Sequence, residues 1–380
     1  MTTCTIQEHL LPETSVGTLR KVLSLHFGPA DAARKVYIQA GLHADEAPGY
    51  LVAARLLELL HRADRAGEIL QRIVVVPAAN PIGLAQWGSD CLQGRFDNSD
   101  HINFNRRHYD LTKEVAERLQ GRLGADGAEN VALIRKCAGE ILETKEPATE
   151  AEALKHMLLT LSHDADIVLD LHCDHQALLH VYMGTALWPQ WADLSAQLGA
   201  RVTLLANDSG DSPFDEANSR LWWELAEKFP EATVPFACLA ATVELRGQAD
   251  TDEDLIHQDA NNLFAFLQRR GFISGVAPAL PELPGEATPL EGVDYIKSTV
   301  AGILTYLKQP GDTVKKGETV AVITQPMNNP GQGEKTVLVS RTSGIFFARV
   351  ADRFARPGKI IGKVAGIEPL EGKGAFLLTS

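Results

Sequence analysis

The sequence predicts an α/β fold, a sheet with helices on both faces, followed by a small all-β module. Three observations predict it. Short apolar, β-rich runs alternate with helical patterns through the first two thirds of the chain, as strands covered on both faces require. A stretch rich in proline and glycine then interrupts the pattern. Beyond it, short strands alternate with glycine turns and no helical period returns.

The expected strands, in order, are 34–40, 72–79, 166–172, 178–184, 201–207 and 238–245. Helices are expected over 46–63, 112–123, 130–142, 150–161, 191–198, 215–228 and 252–270. The first carries an apolar face of Leu51, Ala54 and Leu57. The last opens with Thr251 as N-cap and places Asp252, Glu253 and Asp254 in a first turn, where the helix dipole favours acids, and it ends at Gly271. Residues 1–274 thus read as one α/β domain, within the size range of a single large domain. Residues 275–289 hold four prolines and two glycines and are expected to be an irregular linker. Residues 290–380 form the β-module.

Composition narrows the function. A hydrophobic content of 45% over 380 residues suits a packed globular chain. With 36 Lys and Arg against 49 Asp and Glu, the net charge of −13 repels phosphate backbones and anionic lipid, so neither nucleic acid nor a membrane is expected as partner. The first residues have neither a basic nor an apolar leader region, and a soluble, cytoplasmic protein is expected. The five cysteines are scattered without a Cys-x-x-Cys pair, which indicates neither a disulfide framework nor a thiolate zinc site.

The chemistry lies in four pieces. His43 and Glu46 stand three residues apart where the strand 34–40 gives way to a helix, at the strand end where open α/β sheets place ligands. Asp170 and His172 end another apolar strand and, with period two, project to one face. Two His and one Glu are the ligand set of a catalytic Zn²⁺ with a fourth position open to water. Glu244 comes late in an apolar strand, where an acid is expensive unless something uses it, and metal-assisted hydrolysis uses such a carboxylate as general base. In the loop Asn103-Phe104-Asn105-Arg106-Arg107, a guanidinium beside an amide suits capture of a carboxylate. Arg246, two residues past the base, either pairs with Glu244 or binds substrate. His101, His108, His175 and His180 lack a carboxylate at ligand spacing and are expected in surface or core roles.

In this order, His43-x-x-Glu46, Asn105-Arg106, His172 and Glu244 resemble the zinc carboxypeptidase superfamily. Within it the chain is most similar to the succinylglutamate desuccinylase and aspartoacylase family over residues 34–270. The resemblance implies a doubly wound, zinc-carboxypeptidase-like sheet. It also implies one Zn²⁺ per chain on His43, Glu46 and His172, Glu244 as base, and Asn105 and Arg106 on a substrate carboxylate. Arg95 matches a place where family members often carry a further substrate or oxyanion arginine. The family loop usually reads Asp-Leu-Asn-Arg, whereas this chain has Asn103-Phe104-Asn105-Arg106.

The β-module holds a weak repeat: Gly302-Ile303-Leu304 and Gly344-Ile345-Phe346 each precede, by about fifteen residues, a glycine and a β-run. Its first arm resembles the barrel-sandwich hybrid of biotinyl and lipoyl carrier domains. Where a carrier has its Met-Lys-Met hairpin, this chain has Pro326-Met327-Asn328-Asn329, so no attached biotin or lipoate is expected. The module should cover the mouth of the site and add shape without chemistry. The expected activity is zinc-dependent hydrolysis of the amide of a small N-acyl amino acid or related metabolite. A carboxypeptidase acting on peptide C-termini and a non-catalytic metal- and ligand-binding protein are the alternatives, and homo-oligomerisation is left open.

Overall fold

The computed structural model describes residues 4–329, 332–372, 374 and 376–378. Its first half contains β1 (Thr5–Leu10), β2 (Lys21–Phe27), β3 (Lys35–Ala40), α1 (Ala47–Ala66), β4 (Arg72–Val76), the small hairpin of β5 (Trp87–Gly88) and β6 (Cys91–Leu92), α2 (Thr112–Leu119), α3 (Gly127–Leu142) and α4 (Glu150–Ser162). There follow β7 (Ile167–Asp174), β8 (Gln176–Ala177), β9 (His180–Met183), α5 (Ala192–Leu198), β10 (Val202–Leu205), α6 (Phe214–Lys228), β11 (Leu239–Gly247), α7 (Glu253–Arg269) and β12 (Ala287–Pro289). The C-terminal part is all β: β13 (Val293–Lys297), β14 (Gly302–Tyr306), β15 (Thr313–Val314), β16 (Thr319–Gln325), β17 (Glu334–Val339), β18 (Gly344–Arg349), β19 (Phe354–Ala355) and β20 (Ile360–Gly366).

Nine strands make the central sheet, in the order β1-β2-β4-β3-β7-β11-β9-β10-β12. Alternation along each strand feeds two cores. In β3, Val36, Ile38 and Ala40 pack with Leu56 of α1 and Phe266 of α7, while Tyr37 points to the other face, toward Leu154 of α4 and Phe214 and Trp222 of α6. Both layers exclude water, so β3 is buried at every residue. The fold is a mixed α/β sheet with helices on both faces.

The strands β4, β3, β7 and β11 are mutually parallel, while β9 runs antiparallel to β11. Their parallel run brings the ends of β3, β7 and β11 to one edge. The register fixes the level: Gln39 lies opposite Asp170, Thr242 opposite Asp170, and Glu244 opposite His172.

The C-terminal strands form two sheets whose arms interchange. β14 pairs with β16 and β18 with β20, and each arm then lends a short strand to the other, β19 to β14 and β15 to β18. This is the pseudo-twofold arrangement that the repeat suggests. Pro330 and Gly331 of the carrier-like loop lie outside the described residues.

Three readings change. Strands β1 and β2 are additions to the expected set, and β1, exposed along almost its whole length, has no buried alternation to see. The stretch read as an irregular linker ends in β12, which adds to the central sheet beside β10. The N-cap of the last helix is Asp252, not Thr251, and it makes no side-chain cap.

Candidate metal centre and its cleft

The chain leaves β3 through Gly41, at φ +74°, where a Cβ would meet the Tyr50 ring at 2.2 Å. This turn carries His43 to the sheet edge. Glu46 is the N-cap residue of α1 but makes no cap; its carboxylate turns instead to the two histidines. His43 Nδ1 lies 2.9 Å from Glu46 Oε1, and His172 Nδ1 lies 2.8 Å from Oε2. Among the described residues these three form the one group able to hold a metal, with a ligand atom from each within 4.8 Å of the others.

The outer nitrogens are fixed as well. His43 Nε2 is 2.8 Å from Asn103 Oδ1, and His172 Nε2 is 2.8 Å from Asp170 Oδ2. Gln39 donates to Asp170 Oδ1 at 3.0 Å, and Tyr37 donates to Gln39 at 2.8 Å. Each imidazole thus presents Nδ1 to the centre while its other nitrogen is held, the arrangement that orients metal-binding histidines. Burial would lower the pKa of His172, but Asp170 and Glu46 hold it well above the usual histidine value. His43 is pushed down to about 4 by burial and by Arg95. Two imidazole nitrogens turned to one ionised carboxylate fit a borderline divalent cation such as zinc, which would displace the proton that Asp170 and Glu46 hold on His172.

Glu244 lies beside His172 on the neighbouring strand and lines the same cleft. Its Oε2 is buried with no hydrogen-bond partner, and burial together with Glu46 pushes its pKa up to about 8. Asn105 and Arg106 line the cleft too. Asn105 Oδ1 accepts from Phe214 N at 2.8 Å, and Arg106 Nη1 donates to Asn105 O at 2.6 Å, so the loop is locked from both sides. Beneath it, buried Lys155 donates to Arg106 O at 2.7 Å.

Arg95 reaches the cleft and donates to Glu46 Oε1 at 3.0 Å. It gets there because Gly94 lies flat against the His43–Glu46 turn, where a Cβ would meet Asp45 N at 2.3 Å. Arg246 forms no ion pair with Glu244 and is not among the residues that line the cleft. It sits at φ +64°, which turns its side chain away from Glu244 and onto Asp259 of α7 in an ion pair. His180 and His108 are buried against aromatic rings. Neither they nor His101 or His175 join the metal group.

A family model of the succinylglutamate desuccinylase/aspartoacylase catalytic domain matches residues 32–270. The chain belongs to this family. A crystal structure of a family protein from Shewanella amazonensis is 27% identical, with a TM-score of 0.83, over 95% of this chain and 98% of the other. One from Shewanella frigidimarina is 24% identical, with a TM-score of 0.82, over 96% and 98% of the two chains. The product-bound ectoine utilization protein EutE (DoeB) from Ruegeria pomeroyi shares the fold at 16% identity and a TM-score of 0.67, over 96% and 95%. No curated protein matches the chain.

In this member of the succinylglutamate desuccinylase/aspartoacylase family the β-module contributes to the lining of the cleft. Leu290, Tyr295 and Lys363 line the cleft, and Lys363 Nζ forms an ion pair with Asp174 at the end of β7. The module is also stitched to the central half by β8, which pairs with β18. The module thus brings a cation as well as apolar surface to the lining of the cleft. Sequence reasoning also missed Asn103 as the partner of His43, and Lys155, Asp215, Glu216 and Ser209. Of these only Lys155 left a signal, a cation on the otherwise apolar face of α4.

Proposed function

We propose that the chain is a zinc-dependent hydrolase of the amide bond in a small N-acyl amino acid. The observation that carries this reading is the convergence of His43, Glu46 and His172 beside a buried, unpartnered Glu244 carboxylate in one cleft. When bound, zinc supplies Lewis-acid polarisation of an acyl carbonyl and lowers the pKa of water. Glu244 takes the proton of the attacking water and hands it to the leaving amine. The burial that raises its pKa makes it a strong acceptor once ionised. Arg106 and Asn105 hold the carboxylate of the amino acid, so the scissile amide is presented in one orientation. Arg95, beside Glu46, is set to move from that carboxylate to developing charge on the acyl oxygen.

In this reading residues 1–274 carry the chemistry and 290–380 close the cleft. Closure by Leu290, Tyr295 and Lys363 favours a compact metabolite over a peptide C-terminus, which needs a path for its upstream chain. The test compares release of acetate or succinate from N-acyl amino acids with release of amino acid from blocked dipeptides by the zinc-loaded enzyme. Faster release from the acyl amino acids is expected; preference for dipeptides would make the chain a carboxypeptidase.

A further inference from the structure

The turn that carries Arg106 is held from below by a buried cation. Lys155 stands on α4, where it is the one charged side chain among the buried residues of the helix, beside Leu154, Leu158 and Leu159. It is only 7% exposed, and Asp100, Asp211 and Asp97 act on it from beyond ion-pair distance. A buried ammonium is expensive unless its protons are taken up. Here they go to two backbone carbonyls, Arg106 O at 2.7 Å and Asn103 O at 3.4 Å.

Those carbonyls belong to the two ends of one turn, closed by Arg106 N donating to Asn103 O at 3.1 Å. Between them Phe104 is buried in the core, and Asn105 is tied by its side chain to Phe214 at the start of α6. The Arg106 guanidinium is bonded within the turn itself, Nη1 donating to Asn105 O at 2.6 Å. Where the turn sits therefore decides where the guanidinium sits. The same turn reaches the metal centre, because Asn103 Oδ1 faces His43 Nε2 at 2.8 Å. Past the turn, Arg107 N and His108 N donate to Asp211 O and Ser212 O of a loop. Lys155 instead joins the turn to a helix that is itself capped, Thr149 Oγ1 accepting from Glu152 N at 3.1 Å.

We infer that Lys155 is a positioning residue for substrate binding, whose ammonium fixes the Asn103–Arg106 turn so that the Arg106 guanidinium meets the substrate α-carboxylate in register with the metal centre. This rests on the reading of Arg106 as the carboxylate clamp of a deacylase. A guanidinium holds a carboxylate through two parallel hydrogen bonds, so a small displacement of the turn costs binding that packing alone does not. The four-carbon stem spans from helix to turn, and three ammonium protons allow both carbonyls to be served at once.

The test measures kcat and KM of zinc-loaded wild type and Lys155→Met on Nα-acetyl and Nα-succinyl derivatives of alanine, leucine and glutamate, and on the α-carboxamides of the same compounds. Methionine keeps an unbranched apolar stem and removes the ammonium. The acid-to-amide ratio of kcat/KM should fall about tenfold in Lys155→Met, mainly through a higher KM for the acids. In an Arg106→Ala background Lys155→Met should leave that ratio where Arg106→Ala alone puts it. Equal loss on acids and amides, or losses in the ratio that add in the double variant, would make Lys155 structural and overturn the proposal. Lys155→Gln gives the same readout if the methionine variant folds poorly. If the wild type hydrolyses none of the compounds, the deacylase reading fails, and the same acids and amides are titrated calorimetrically into zinc-loaded wild type and Lys155→Met. A wild-type preference for the acids that the variant loses upholds the positioning role; a preference absent from the wild type, or kept by the variant, overturns it.

Discussion

The two sides of the cleft are built on opposite principles. Around the histidines each ring nitrogen faces an oxygen: His43 between Glu46 and Asn103, His172 between Glu46 and Asp170, with Gln39 and Tyr37 behind them, and only Asn103 Nδ2 in this group is buried without a partner. Beside His172 in the register of the sheet, Glu244 Oε2 is buried with no partner. A saturated network holds side chains in one geometry, as metal ligands need. Unsatisfied buried oxygens cost free energy, and folded chains keep them where a ligand or a transferred proton will use them. Substitutions on the two sides should therefore fail in different ways.

The largest effect is expected on the saturated side. His43→Ala removes one of three protein donors, so zinc should fall from one per chain to near none, with turnover lost by about a thousandfold or more. Elemental analysis and turnover on the same preparation check it. Undiminished zinc in the variant would move the metal to another group of histidines.

Glu244→Gln breaks the unsaturated side and should separate the two. Turnover should fall by at least about a hundredfold, as loss of a general base does, while zinc stays at the wild-type level. Zinc lost together with activity would make Glu244 a ligand and erase the contrast between the sides; retained activity would remove it as base.

Arg106→Ala tests the cation that has no ion-pair partner. Substrates with a free α-carboxylate should lose about 2–3 kcal/mol of transition-state binding, while their amides lose much less. Equal loss on both would reduce Arg106 to packing.

How much of this was legible beforehand follows from sequence separation. His43 with Glu46, and Asp170 with His172, are short-range patterns on a strand end, and periodicity alone places them on one edge. The strands and helices of both cores were legible for the same reason, being runs of buried residues at period two or 3.6. The supporting contacts have no such period: Asn103 meets His43 across 60 residues, and Lys363 meets Asp174 across 189. Asp215 and Glu216 open the helix expected over 215–228, where acids are ordinary, and only burial against the cleft distinguishes them. The pairing of Arg246 with Asp259, thirteen residues on, likewise follows no period that the sequence displays.

The smallest effect concerns His180, which shares the sheet with His172 but not its partners. Its Nδ1 lies 2.8 Å from Leu178 O, its Nε2 is buried without a partner, and its ring packs edge-on to Tyr182 and to Phe347 of the β-module. Unlike Glu244 it does not line the cleft, so its unpaired atom serves no ligand and should show only as a stability cost. Burial first, then Lys363, pushes its pKa down to about 4, against which Asp174 acts weakly. The folded state therefore resists a proton that the unfolded chain accepts near pH 6.5. The contribution of neutral His180 to stability is complete above pH 6.5 and declines as pH falls toward 4, by up to about 1 kcal/mol per pH unit. His180→Phe keeps the ring contacts and removes the titration. In denaturant melts of zinc-saturated protein from pH 7 to 5, the wild type should lose more stability than the variant. Parallel curves would mean that protonated His180 finds a partner in the folded protein and that its unpaired nitrogen carries no stability cost.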